Sequence, residues 1–213
     1  MSLAQYLKSS YFFDLDSPQV QSLIKDFKES DLSEKDKAIG LYLKVRDGWR
    51  YNPHTISFKP KALVASTIYR KKDGHCIDKS VLLIAGLRAL KIPARLHLAK
   101  VKNHIAAEKL REKFGSNELT PHEMVDIFLN DKWLKVSPAF NKTHCDRCLV
   151  DPLDFNGLED SSFQEYNKAN QQFMEYTADY GAFDDVPVSF IFENMKAHYP
   201  KIFADIRDQA FKL

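Results

Sequence analysis

At 213 residues the chain is long enough to bury a sizeable core and fits one domain, 1–213. Its 44% hydrophobic and 28% charged residues suit a globular fold, and a formal charge of +2 without a clustered Lys/Arg patch argues against a nucleic-acid partner. The start has no secretory pattern, no apolar run is long enough to span a bilayer, and three cysteines cannot build a disulfide framework, so the expectation is a reduced, cytoplasmic protein without membrane contact.

Ser17-Pro18 is a cap followed by proline at the first helical position, and Val20, Leu23, Ile24 and Phe27 then recur at helical spacing. Ser33 with Asp36 resembles a capping box; Ala38, Leu41, Tyr42, Val45 and Trp49 mark the buried stripe of a second helix that weakens around Gly48. Tyr51-Asn52-Pro53 breaks into loop, and a short helix over about 61–70 leads to a turn at Gly74. Residues 76–90 are apolar nearly all round, which predicts a buried central helix that Pro93 stops. Residues 95–101 alternate as a half-buried strand does, and a polar helical or loop insert covers about 103–120. Two further alternating runs, 122–129 and 132–137, flank Asn130-Asp131, a plausible two-residue hairpin turn. Beyond Phe140 the chain reads as loop through Gly157, with helices expected at about 162–180 and 187–199.

The most chemically informative residue is Cys76. A glycine turn followed by a cysteine at a helix start places a thiol where unpaired backbone N–H groups and the helix dipole favour negative charge. A packing cysteine would more naturally sit among Val81, Leu83, Ile84 and Leu87, whereas Cys76 has Gly74, His75, Asp78 and Lys79 for neighbours. A nucleophilic thiol needs a base, and the base needs a group to orient its ring. His75 adjoins Cys76 and side chains next to each other at a helix start diverge, so His122, opening a strand, is the better candidate.

With the turn at Asn130-Asp131, Phe128 faces Trp133 and Met124 faces Ser137. His122, Met124, Asp126 and Phe128 then share a face with Trp133, Lys135 and Ser137, while Val125, Ile127, Leu134 and Val136 occupy the other. His122 and Ser137 become diagonal neighbours within roughly 7–8 Å. Asp126 lies about 13 Å along the strand from His122, too far to hold its ring. Ser137, or Asn141 beyond Pro138, is left as the orienting group. Cys145-Asp146-Arg147-Cys148, beside His144, has only half the ligands of a structural zinc site and reads mainly as packing; no metal or other cofactor is expected.

Gly74-His75-Cys76 opening a helix, Leu87 through Arg95 at its exit, His122 beginning a strand and Trp133-Leu134-Lys135-Val136 on the next resemble the core of the transglutaminase-like superfamily, as does the upstream Trp49-Arg50-Tyr51-Asn52-Pro53. The resemblance covers about 35–141. Ser137-Pro138-Ala139-Phe140-Asn141, Pro152 through Gly157 and Asp185-Val186-Pro187 extend it towards a bacterial branch of that superfamily. It implies an α+β, papain-like core with the nucleophile at the N-terminus of a buried helix packed on an antiparallel sheet. Helical additions would flank that core, the C-terminal one over about 158–213. It also implies a Cys-His-Asp arrangement, but Ser137 stands where the aspartate is usual, so a neutral Ser137 or Asn141 would have to orient His122.

The Cys76 N–H is one natural oxyanion donor, and the resemblance points to Tyr51 for a second. Arg95 fits the superfamily's Pro-Ala-Arg pattern and reads as a structural ion pair. The expected activity is thiolate acyl chemistry on an unidentified peptide or protein substrate, with peptide or isopeptide hydrolysis ahead of amine transfer. The alternative is a binding module that keeps the fold after its catalysis has weakened.

Overall fold

Two serine caps open the helical layer. Ser17 Oγ accepts the Val20 N–H and Ser33 Oγ accepts the Asp36 N–H, starting α1 (Pro18–Lys28) and α2 (Glu34–Gly48) where their sequences indicate. The computed structural model describes residues 3–55, 57, 59–105, 107–200 and 203. After α2 come β1 (Arg50–Tyr51), α3 (Ala65–Tyr69), β2 (Asp73–Gly74) and α4 (Cys76–Ala89). Then follow β3 (Ala94–Asn103), α5 (Ala107–Phe114), β4 (Glu118–Leu129), β5 (Lys132–Val136), α6 (Lys142–Cys148), β6 (Met174–Phe183) and α7 (Val188–His198).

The fold is α+β, with α4 packed between α1, α2 and α3 on one side and an antiparallel sheet of order β5-β4-β3-β6 on the other. From Ile77 to Arg88 every residue of α4 is buried, the outcome expected of a helix apolar nearly all round. Gly86 lets its neighbours close in: a Cβ there would lie 2.8 Å from Leu41 Cδ2 on α2 and 3.2 Å from Leu23 Cδ2 on α1. Arg88, also buried, donates to the carbonyls of Lys8, Ala94 and Asp184, tying the segment before α1 and the residues just after β6 to this helix.

The β4–β5 hairpin turns at Asn130 and Asp131, both at positive φ (50° and 62°), with Phe128 opposite Trp133 and Leu129 opposite Lys132. Val125, Ile127, Leu134 and Val136 enter the core on the face towards α4. No helix among the described residues is long and apolar enough to cross a membrane.

Four expectations are corrected. The helix expected over 162–180 is irregular chain followed by the edge strand β6, so the C-terminal region is not a purely helical addition. Phe173 and Met174 are buried, but along the strand beyond them one face is largely open to solvent, which weakens the sequence signal. The stretch after Phe140 is not all loop, because α6 occupies 142–148. The insert at 103–120 divides into α5 and the first residues of β4. The strand at 94–103 is mostly buried on both faces, since it runs in the middle of the sheet. The C-terminal helix stands at 188–198, and residues 201–202 and 204–213 of the expected extension lie outside the described ones.

Candidate active site

A two-residue parallel ladder sets the thiol in place. Arg50 pairs with Asp73 and Tyr51 with Gly74, and the Asn52 N–H reaches the Gly74 carbonyl at 3.0 Å, so the segment carrying Tyr51 lies against the turn that leads into α4. Gly74 is needed for close approach, because a Cβ there would come within 3.0 Å of Asp78 Cβ. His75 caps α4: its Nδ1 accepts the Asp78 N–H at 3.3 Å. Its ring is buried and its pKa is lowered by that burial, a structural role that takes it out of competition for general base. Cys76, the next residue, is half-buried at the first turn.

Cys76, His122 and Tyr51 all line one cleft of about 250 Å³. Burial pushes the His122 imidazole down to about 4. Burial also pushes the Cys76 thiol up, and the Glu123 carboxylate adds to that, while the backbone N–H groups of Ile77 and Glu123 pull towards the thiolate. The two side chains are not hydrogen-bonded to each other. Burial therefore disfavours the charged form of each group, the thiolate and the imidazolium, in the cleft they share. Tyr51 packs edge-on against Phe140 and His144, and its hydroxyl is raised well above its ordinary pKa, first by burial and next by the neighbouring Cys76.

Neither residue expected to orient His122 is bonded to it. Ser137 Oγ donates to Glu123 Oε1 at 2.9 Å. Asn141 Oδ1 accepts the Tyr51 N–H at 2.8 Å, and its Nδ2 donates to Thr143 Oγ1 at 2.6 Å. The physical reason in the first case is Glu123, a fully buried carboxylate that takes the donors within reach; Ser80, one turn after Cys76 on α4, donates to its other oxygen. Burial raises Glu123 to about 7 against the opposing effect of those hydroxyls and of Lys79. Burial in turn lowers Lys79 to about 7, and its ammonium donates to the carbonyls of Arg46 and Ala139, each at 2.7 Å. Asn141 holds Tyr51 through its backbone, which places the aromatic ring rather than the base.

The profile of the transglutaminase-like superfamily matches residues 21–138, more than half of the chain. The chain belongs to the transglutaminase-like superfamily. Among curated proteins none matches it by sequence. A solved structure of a candidate cysteine protease from Cytophaga hutchinsonii is similar at 19% identity and a TM-score of 0.49, over 85% of this chain and 52% of that one. The chain thus spans about half the length of that protein.

Membership in the transglutaminase-like superfamily supports cysteine-based catalysis as the class of chemistry. From the sequence Glu123 has no assigned role, and His144 and Cys148 stand out only as part of an incomplete zinc motif. Glu123 shares the apolar face of β4 with Val125 and Ile127, and an acid two residues before that stripe was the available signal. His144 and Cys148 also line the cleft, with Cys148 Sγ 3.5 Å from His144 Nε2, while Cys145 points away from them with its thiol 3.7 Å from the Phe140 carbonyl. One turn of α6 therefore splits the CxxC pair between the cleft and the core. No cluster of three or more metal-ligating side chains occurs among the described residues.

Proposed function

We propose that this protein is a cysteine-dependent acyl enzyme in which Cys76 is the nucleophile and His122 the general base. The observation that carries the reading is the convergence of Cys76, at the start of α4, and His122, on β4, on one cleft. In this reading both groups rest neutral, as burial favours, and the proton moves as the bond forms. Cys76 gives its proton to His122 while sulfur adds to the carbonyl carbon, and the helix-start N–H, with Tyr51 alongside, faces the developing oxyanion. His122 then returns the proton to the leaving amine, the C–N bond breaks, and a thioester remains on Cys76. Water, deprotonated by His122, attacks the thioester, releasing the acid and restoring the thiol. Hydrolysis of a peptide or isopeptide bond is the first choice of outcome, and transfer to an amine the second. The setting we infer is a reducing cytoplasm, where three free thiols persist.

A second reading has its own support. The missing bond between His122 and either Ser137 or Asn141, together with the raised thiol, fits a binding module whose turnover has weakened. Iodoacetamide labelling across pH separates the two. An enzyme gives Cys76 alkylation whose rate depends on His122; a module gives an ordinary thiol titration that His122→Ala leaves unchanged. With a peptide substrate in hand, Cys76→Ala abolishes turnover without loss of fold and wild type accumulates an acyl adduct on Cys76 visible by intact mass. Full activity in Cys76→Ala defeats the mechanism.

A further inference from the structure

The walls of the cleft have a common chemistry although they come from separate parts of the fold. Ile105 follows β3, Leu110 lies on α5, Leu119 on β4, Phe140 after β5, Phe173 before β6 and Met195 on α7. Phe140, Phe173 and Met195 are 8%, 2% and 4% exposed, forming the floor, whereas Ile105 is 43% exposed at the rim. Among the described residues that line the cleft there is no Asp, Glu, Lys or Arg. The three histidines there, His75, His122 and His144, are each lowered by burial, so the walls carry no formal charge near neutral pH.

We propose that the substrate presented to Cys76 is a peptide whose side chain at or beside the attacked carbonyl is uncharged and apolar, aliphatic or aromatic, and that these walls select it. The proposal rests on Cys76 as the nucleophile at the cleft. An apolar side chain entering there exchanges water for carbon contacts and gains by the area it buries. A carboxylate or ammonium entering the same space loses its hydration and meets no opposite charge to replace it. At about 250 Å³ the space lies just below the roughly 300–1,000 Å³ common for small-molecule pockets, a size for one or two side chains rather than an extended ligand.

The test uses three chloroacetamides whose N-alkyl chains are equal in length and end in methyl, carboxylate or ammonium. Alkylation at Cys76 is followed by peptide mapping, which separates it from Cys148, and each rate is divided by that of the same probe with N-acetylcysteine. The methyl-ended probe is expected to modify Cys76 at least about tenfold faster than either charged one, a lower bound because a charged end that stays partly in water at the rim escapes most of the penalty for burying an unpaired charge. Ile105→Lys, at the exposed rim, is expected to speed the carboxylate-ended probe and narrow that gap. Equal normalised rates for the three probes, or a charged probe in the lead, overturn the proposal. If Cys76 prefers the apolar probe while no peptide shows Cys76-dependent turnover, the selectivity stands and the catalytic reading falls.

Discussion

Glu123 is the residue that most changes the meaning of its neighbours. Its carboxylate is fully buried between Ser80 and Ser137, and it is the largest charge influence raising the Cys76 thiol after burial itself. Removing that charge while keeping the shape is expected to favour the thiolate, so Glu123→Gln speeds iodoacetamide alkylation of Cys76 several-fold near neutral pH; an unchanged rate disconnects the two groups. Ser137 has the opposite lesson. Aspartate is the residue that the resemblance leads one to expect there, but in this fold it removes a donor from Glu123 and sets two buried carboxylates against each other. Ser137→Asp alone is expected to destabilise by about 2 kcal/mol or more, measured by urea unfolding, and Glu123→Gln in the same chain to recover most of the loss. Additive effects in that double-mutant cycle would show that the two side chains do not act as a pair.

Helix α4 couples the site to the core, and at Gly86 it packs closely against two other helices. Gly86→Ala places a methyl against Leu41 and Leu23, on two helices at once, and is expected to cost about 1–3 kcal/mol even though alanine is the better helix former. Gly48→Ala, at the end of α2 where nothing lies within 4 Å, is expected to be neutral or slightly stabilising in the same urea titration. Comparable losses at the two sites would remove packing as the cause. Elements with strong local signals were legible in the sequence: the Ser17 and Ser33 caps, the mostly apolar α4, and the β4–β5 hairpin with its register set by Asn130-Asp131. Others depended on tertiary context. The seven-residue α6 ends at Leu149 in a left-handed conformation (φ 55°) that leucine's sequence does not announce. Strand β6 is held at the edge by pairing with β3 and leaves one face largely open. At the site, local pattern could point to Cys76 and His122 as candidates, but not to the partners of Ser137 and Asn141, because those depend on tertiary neighbours: the buried Glu123 takes the Ser137 hydroxyl, and Asn141 bonds the Tyr51 N–H and Thr143.

Across the whole molecule, burial of ionisable groups gives stability two opposing dependences on pH. His122 is lowered from 6.5 to about 4, so it contributes stability above its unfolded value and loses that contribution as pH falls through the folded one. His75 and His144, also lowered by burial, act in the same direction. Glu123 is raised from 4.5 to about 7, so the protonated form is favoured in the fold and stability falls as pH rises between those values. His97 joins Glu123 in sign: burial alone would lower it, but Asp126 and Asp179, hydrogen-bonded to its two ring nitrogens, raise it, so its contribution is lost as pH rises through its folded value. The His122 and Glu123 contributions are each about 3 kcal/mol and largely cancel over the same acid range. The variants expose them separately. Between about pH 4.5 and 6.5, the unfolding free energy of Glu123→Gln is expected to climb with pH more steeply than that of wild type, and that of His122→Asn to climb less or to fall. Three parallel curves from urea titrations across that range would mean that neither group changes its proton affinity on folding, and the neutral resting state assigned to the Cys76–His122 pair would lose its physical basis.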